Sequence, residues 1–128
     1  MSIERYGADA KGAGGQRLPF SKAVRAGDFV FVSGQVAVGP DGEIVGGGIV
    51  EQTRRTIENV RAILESVDLG LSDVVKVTVW LEDTRDFWSF NRVYTEYFGA
   101  ALPARSCVRA ELMSPGKVEI EAIAYAPR

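Results

Sequence analysis

The apolar positions of this chain change their spacing several times, and each change marks a new element. From Ser21 to Val24 the pattern suits a short strand, and Arg25-Ala26-Gly27-Asp28 has the composition of a turn. Phe29-Val30-Phe31-Val32 opens a β-rich run through Ser33-Gly34-Gln35 to Val38, closed by a Pro40-Asp41-Gly42 turn. These segments predict a hairpin with a bulge at Gly34, where a backbone can come close to a ligand. Val50, Thr53, Ile57, Val60, Leu64 and Val67 then lie three and four apart, the spacing of one helix face. Gly70 stands where that helix's C-terminal cap belongs. Glu51 with Arg55, and Arg54 with Glu58, are spaced to pair on its exposed turns.

Alternation returns from Asp73 to Leu81, with Val75, Val77, Val79 and Leu81 on one face and Val74, Lys76, Thr78 and Trp80 on the other. Asp83 or Thr84 can cap a second helix, whose Phe87, Phe90, Tyr94 and Tyr97 form an aromatic stripe of the kind that fills a core, and Gly99 ends it. Two strands finish the chain, Arg105 to Glu111 and Lys117 to Tyr125, drawn as a hairpin around Ser114-Pro115-Gly116. The order β-β-α-β-α-β-β predicts an α+β layer, a mixed or mainly antiparallel sheet with both helices on one face. The last strand sets Val118, Ile120, Ala122 and Ala124 against Glu119 and Glu121. A second sheet face that mixes apolar residues with isolated charges is one that meets another subunit.

Composition narrows what such a layer can do. The 128 residues suffice for one domain, 1–128, whose first 16 residues, with the cluster Gly12, Gly14 and Gly15, are expected to be flexible or weakly ordered. Neither this cluster nor Gly46 to Gly48 continues into a phosphate-binding motif. A net charge of -2 gives no general attraction to nucleic acid or anionic lipid. No apolar run is long enough to span a bilayer, and Met1 to Gly15 has no signal-peptide core. A single cysteine, Cys107, suits a reducing compartment, so the expected location is cytoplasmic. The sequence has no histidine, which removes Ser–His and Cys–His nucleophile pairs and nearly every zinc site. Acid–base work must fall to Asp, Glu, Tyr, Lys, Cys or water.

Arg105, at the entrance to a strand, offers a planar fork of donors that matches a carboxylate; a surface salt bridge is the alternative. Drawn as a simple hairpin, the last two strands leave Arg105 several rungs from Glu119. The two would then meet across a subunit boundary or through a different strand arrangement. Cys107 is either a nucleophile whose pKa a neighbouring arginine lowers or a small half-buried strand residue. Asn91, beside the aromatic stripe, is either a site residue or an ordinary helix-surface amide.

Ser33-Gly34-Gln35, Asn91-Arg92-Val93-Tyr94, Pro103-Ala104-Arg105-Ser106-Cys107-Val108 and Val118-Glu119-Ile120-Glu121-Ala122-Ile123-Ala124 together resemble the reactive intermediate deaminase (RidA) family, also described as the endoribonuclease L-PSP family. The resemblance runs in order from about Pro19 to Pro127. It implies a chorismate-mutase-like α+β fold, a homotrimer with sites in clefts between subunits, and hydrolysis of 2-imino acids and their enamine tautomers to 2-oxo acids and ammonia, with no metal or other cofactor. By the same resemblance Arg105 binds the substrate carboxylate, and Glu119 positions or activates water. Ser33, Gly34, Asn91 and Cys107 line the cleft, Cys107 mainly through its backbone. The chain departs from the family at Phe20, where the best-known members carry a tyrosine, and in Arg109-Ala110-Glu111-Leu112; both imply altered substrate preference or weaker activity. The competing readings are a non-catalytic binder of small carboxylates and an endoribonuclease. The acidic balance and the lack of a basic stripe count against the second.

Overall fold

In the computed structural model, which describes residues 2–11 and 15–128, β2 (Ala23–Ala26) and β3 (Phe29–Gln35) form the expected antiparallel hairpin. The strand predicted at Ser21–Val24 sits further along the chain, because Arg25 and Ala26 belong to it and the turn is only Gly27-Asp28. Gly27 takes φ 61°, the left-handed value that the first residue of a tight hairpin loop requires. The ladder to the last strand, β6 (Val118–Tyr125), loses register between Val32 and Gln35, which places the expected bulge at Ser33-Gly34. Beyond β3, Val38 bridges Ile44 around the Pro40-Asp41-Gly42 turn.

The weakly ordered segment expected over residues 1–16 contains a strand instead. β1 (Ile3–Tyr6) pairs antiparallel with β2. Its four residues are too few to show a period, and long-range contacts hold it. The Arg128 guanidinium donates to both Glu4 carboxylate oxygens at 2.7 and 2.8 Å, and the Tyr6 hydroxyl donates to Glu4 at 2.5 Å. Gly12 and Gly14 of the N-terminal glycine cluster lie outside the described residues.

Helix α1 (Ile49–Glu65) buries Thr53, Ile57, Val60 and Leu64, as the spacing predicts. Its first turn is closed by Glu51, which accepts the Gly48 N–H at 3.0 Å. The expected Glu51–Arg55 and Arg54–Glu58 pairs do not form. Arg54 reaches Glu96 at 2.9 Å, tying the two helices together, and Glu58 turns to Arg61 at 3.1 Å. Gly70 is not the cap: the helix stops at Ser66, Asp68 takes the left-handed φ of 63°, and Gly70 opens a short 3-10 turn at Leu71–Asp73. β4 (Val74–Leu81) begins with an irregularity between Val74 and Lys76. Val74 is therefore buried and Val75 exposed, the reverse of their predicted faces. Asp83 accepts the Arg85 N–H at 2.9 Å and starts the 3-10 turn Thr84–Asp86 that leads into α2 (Phe87–Phe98).

The last two strands, β5 (Ala104–Arg109) and β6 (Val118–Tyr125), are not a hairpin. β5 pairs parallel with β4, and β6 inserts between β3 and β4, antiparallel to both, giving the order β1-β2-β3-β6-β4-β5. The physical reason is the connection: α2 supplies the crossover that parallel pairing needs, and a tight turn cannot. Residues 110–117 then carry the chain back past β4, fastened by Ala110 N–H to the Leu81 carbonyl and Glu82 N–H to the Lys117 carbonyl. The alternation in β6 becomes the central line of the core, with Val118, Ile120, Ala122 and Ala124 all buried. Both helices pack on that face, where Val77, Val79 and Ile120 meet Ile57, Val60, Phe90 and Phe98. The other face presents Phe29, Phe31 and Tyr125, each 40–45% exposed, beside the half-buried Glu119 and Glu121. Among the described residues no helix is long and apolar enough to cross a membrane.

Candidate functional site

Parallel register decides where Arg105 points. Arg105 lies opposite Val77, and Cys107 opposite Val79; both valines are fully buried beneath the helices. Alternation along β5 therefore sends Arg105 and Cys107 to the helix side of the sheet. There the carbon of the Arg105 guanidinium sits 4.7 Å from the centre of the Tyr94 ring, 5.6 Å from Phe90 and 5.8 Å from Phe87. Among the described residues Arg105 makes no hydrogen bond and no salt bridge, so the surface-pair alternative does not hold. Its donors are left for something else.

Two more polar groups on this helix face lack partners. Asn91 Oδ1 and the Tyr94 hydroxyl are buried with nothing to bond to among the described residues. Burial pushes the Tyr94 hydroxyl up to about 12, against a small opposing pull from Arg105, so it stays a neutral phenol. Burial also raises the Cys107 thiol, again with Arg105 pulling the other way. A thiol held protonated is a poor nucleophile, so of the two readings of Cys107 the small strand residue fits. Cys107 lines a cavity of about 90 Å³ with Leu81, Phe87 and Arg109.

Glu119 lies elsewhere. It pairs with Trp80 on the face turned away from the helices, since its neighbours Val118 and Ile120 are the buried ones. A β-carbon added at Gly34 would run into the Glu119 carboxylate, so the β3 bulge lets bare backbone come against that acid. Burial raises the Glu119 pKa, and the like charge of Glu121 adds to the shift. Ser33 donates from its hydroxyl to the Ser21 carbonyl at 2.6 Å, which anchors the segment behind Phe20. Phe20, 47% exposed, lines a cavity of about 500 Å³ with Leu18, Gly34, Gln35, Asn59 and Ile63.

The seven residues singled out from the sequence thus fall into two groups. Phe20, Ser33, Gly34 and Glu119 form one; Arg105 and Cys107, on the helix side of β5, form the other, together with Asn91 of α2, the helix whose rings Arg105 touches. Between Arg105 and Glu119 lie two strand spacings and three rungs, so their α-carbons are about 14 Å apart and their side chains leave opposite faces. One small substrate cannot touch both within one chain. The separation expected from a β5–β6 hairpin is present, but its cause is β4 lying between the two strands. Among the described residues no group of three or more Cys, Asp or Glu converges as a metal site would.

The family model for endoribonuclease L-PSP matches residues 14–126. The chain belongs to this family. It is 52% identical over 109 residues to a RutC family protein of Pyrococcus abyssi, covering 84% of this chain and 86% of that protein. It is 40% identical to the mouse 2-iminobutanoate/2-iminopropanoate deaminase, covering 83% of this chain and 80% of the relative. Among solved structures it resembles E. coli TdcF with bound serine at a TM-score of 0.81 and 38% identity, over 94% of this chain and 96% of that one. The six-stranded α+β architecture is the fold of these family members.

The aromatic stripe is what the sequence pattern assigns incompletely. Phe90 and Tyr94 are core, as expected, but Phe98 takes the buried place expected of Tyr97, which is only half-buried; Phe87, Phe90 and Tyr94 are also the surface on which Arg105 rests. The available signal was the strand–helix–strand order from Val74 to Arg109, which lays the buried face of α2 over the strand that follows it.

Proposed function

We propose that this protein hydrolyses small 2-imino acids and their enamine tautomers to 2-oxo acids and ammonia. The observation that carries the proposal is Arg105: a half-buried guanidinium held against aromatic rings, with no acid or carbonyl among the described residues consuming its donors. Such a group suits two-point capture of a substrate carboxylate. Relatives named as 2-iminobutanoate/2-iminopropanoate deaminases, and the serine held by TdcF, support the same substrate class.

The reaction asks little of the protein beyond orientation, because a protonated imine is already electrophilic. Water oxygen bonds to the imine carbon while Glu119 takes one water proton and the C=N electron pair moves onto nitrogen. Glu119 then returns the proton to nitrogen; as the carbonyl forms, the C–N bond breaks with its electron pair on nitrogen, and the hydroxyl proton passes to Glu119 and from there to the departing ammonia, which leaves as ammonium. A carboxylate whose pKa burial has raised is a better base for this exchange than an ordinary one. Since Arg105 and Glu119 leave opposite faces, the reading requires Arg105, Asn91 and Cys107 of one copy to meet Phe20, Ser33, Gly34 and Glu119 of another. A homotrimer built on the open, partly apolar sheet face would do this. The cytoplasm suits the single Cys107, which has no disulfide partner.

Ammonia release from freshly generated 2-iminopropanoate tests the proposal. A rate no faster than the spontaneous one sinks it. A second reading, a non-catalytic carboxylate binder, is favoured by the Arg105 group standing apart from Glu119. It predicts that 2-oxobutanoate binds the wild type without any acceleration of imine hydrolysis.

A further inference from the structure

We infer that Tyr94, flanked by Phe90 and Phe87, is a positioning residue that fixes the plane of the Arg105 guanidinium by ring contact while leaving its charge and donors free for a ligand. The inference rests on the proposed carboxylate-binding role of Arg105 and goes beyond it, to the question of what holds that cation in place.

A half-buried arginine is ordinarily held by an acid or by backbone carbonyls, and either occupies the donors that a ligand would use. Arg25 shows the ordinary solution in this same chain, donating to the Ala126 carbonyl at 2.8 Å and to Gly27 at 3.2 Å. Arg105 has three ring faces instead, with Tyr94 nearest at 4.7 Å. The ring quadrupole attracts the cation without accepting its N–H groups in the guanidinium plane. The rings are themselves fixed: Tyr94 stacks on Phe98 at 4.6 Å between centres and tilts against Phe90 at 5.6 Å. Tyr94 is 4% exposed and Phe90 fully buried, so neither can swing away. An acidic side chain in the place of Tyr94 would hold the arginine as firmly and cancel the charge that a carboxylate needs.

The test uses the full-length protein and two readouts. The first is the side-chain Nε–Hε NMR resonance of Arg105, assigned through its loss in Arg105→Lys. It should show a ring-current shift in the wild type, keep it in Tyr94→Phe, and lose much of it in Tyr94→Leu. The second is imine hydrolysis with 2-iminopropanoate, and binding of 2-oxobutanoate. Tyr94→Leu should raise KM and weaken 2-oxobutanoate about tenfold, with kcat changed less than about threefold, while Tyr94→Phe stays within about twofold of wild type. In an Arg105→Lys background, Tyr94→Leu should add little. Phe87→Leu, at a half-buried position, covers the case in which Tyr94→Leu does not fold, and should raise KM a few-fold with the fold intact. An unshifted Arg105 resonance in the wild type overturns the inference, as does a Tyr94→Leu effect equally large with lysine at 105. A shifted resonance in a wild type that neither binds nor turns over these carboxylates would instead defeat the proposed function and leave the ring contact standing.

Discussion

Gly34 is where backbone and chemistry come closest, because any side chain there collides with the Glu119 carboxylate. The obstructing atom is the end of a flexible side chain, so Gly34→Ala should cost little stability and chiefly displace the acid. Thermal unfolding within a few degrees of wild type, with hydrolysis reduced at least about tenfold, is the expected pair of results. Glu119 itself makes a pH prediction. As the proposed general base it must be ionised, and burial with the Glu121 charge raises its pKa, so the acid limb of kcat/KM should lie above the ordinary carboxylate range. Glu121→Gln removes the like charge and should move that limb to lower pH; an unmoved limb would mean that another group titrates. The stability sign follows from the same shift. Folding binds a proton more tightly at Glu119, so its ionisation disfavours the fold above the raised pKa, and that penalty is relieved as pH falls through it.

Among elements, β6 carries the most weight, since it pairs with β3 on one side and β4 on the other, with its apolar face fully buried. Ile120→Ala should cost about 2–5 kcal/mol in denaturant unfolding, the range for emptying such a site, whereas an Ala substitution of exposed Val108 on edge strand β5 should cost far less. β1 depends on a different force. The Glu4 carboxyl is held down to about 2 by the Arg128 guanidinium first and the Tyr6 hydroxyl next. That contribution is present above the ordinary carboxylate pKa and is lost as pH falls through about 2. Glu4→Gln should speed hydrogen exchange in Ile3–Tyr6 while leaving β6 protected, because one exposed pair secures an edge strand and not the core.

At the scale of the molecule, the division of the candidate site makes a prediction that no single-chain arrangement shares. Arg105→Ala and Glu119→Gln should each abolish hydrolysis alone. Co-assembled from equal amounts, they should recover about a quarter of the sites, those pairing an intact Arg105 from one copy with an intact Glu119 from another. No recovery in mixed assemblies, with exchange of copies verified by mass, would show that both residues act within one chain. The exposed Phe29, Phe31 and Tyr125 lie on the face that such an assembly would cover. Phe31→Glu should accordingly lower both the sedimentation coefficient and the activity.

The sequence by itself determined the local elements and the chemical inventory. Glycine at Gly27 and Gly42 marks turns because φ there is 61° and 84°, and the three-and-four spacing from Thr53 to Leu64 gives α1 because burial follows the helical period. The bulge at Ser33-Gly34, the missing histidine and the Arg105 segment were legible in the same way, each being a property of a short stretch. Partnership was not. Alternation in Lys117 to Tyr125 shows which residues share a face but not which strands lie beside them, so β6 between β3 and β4 could not be read from its own pattern. Tertiary structure alone put β5 parallel to β4, turned Arg105 toward the helices and Glu119 away from them, and made an aromatic core stripe the bed of a cation. Period is written locally in a chain. Which faces meet is decided by how all the elements bury their apolar sides at once.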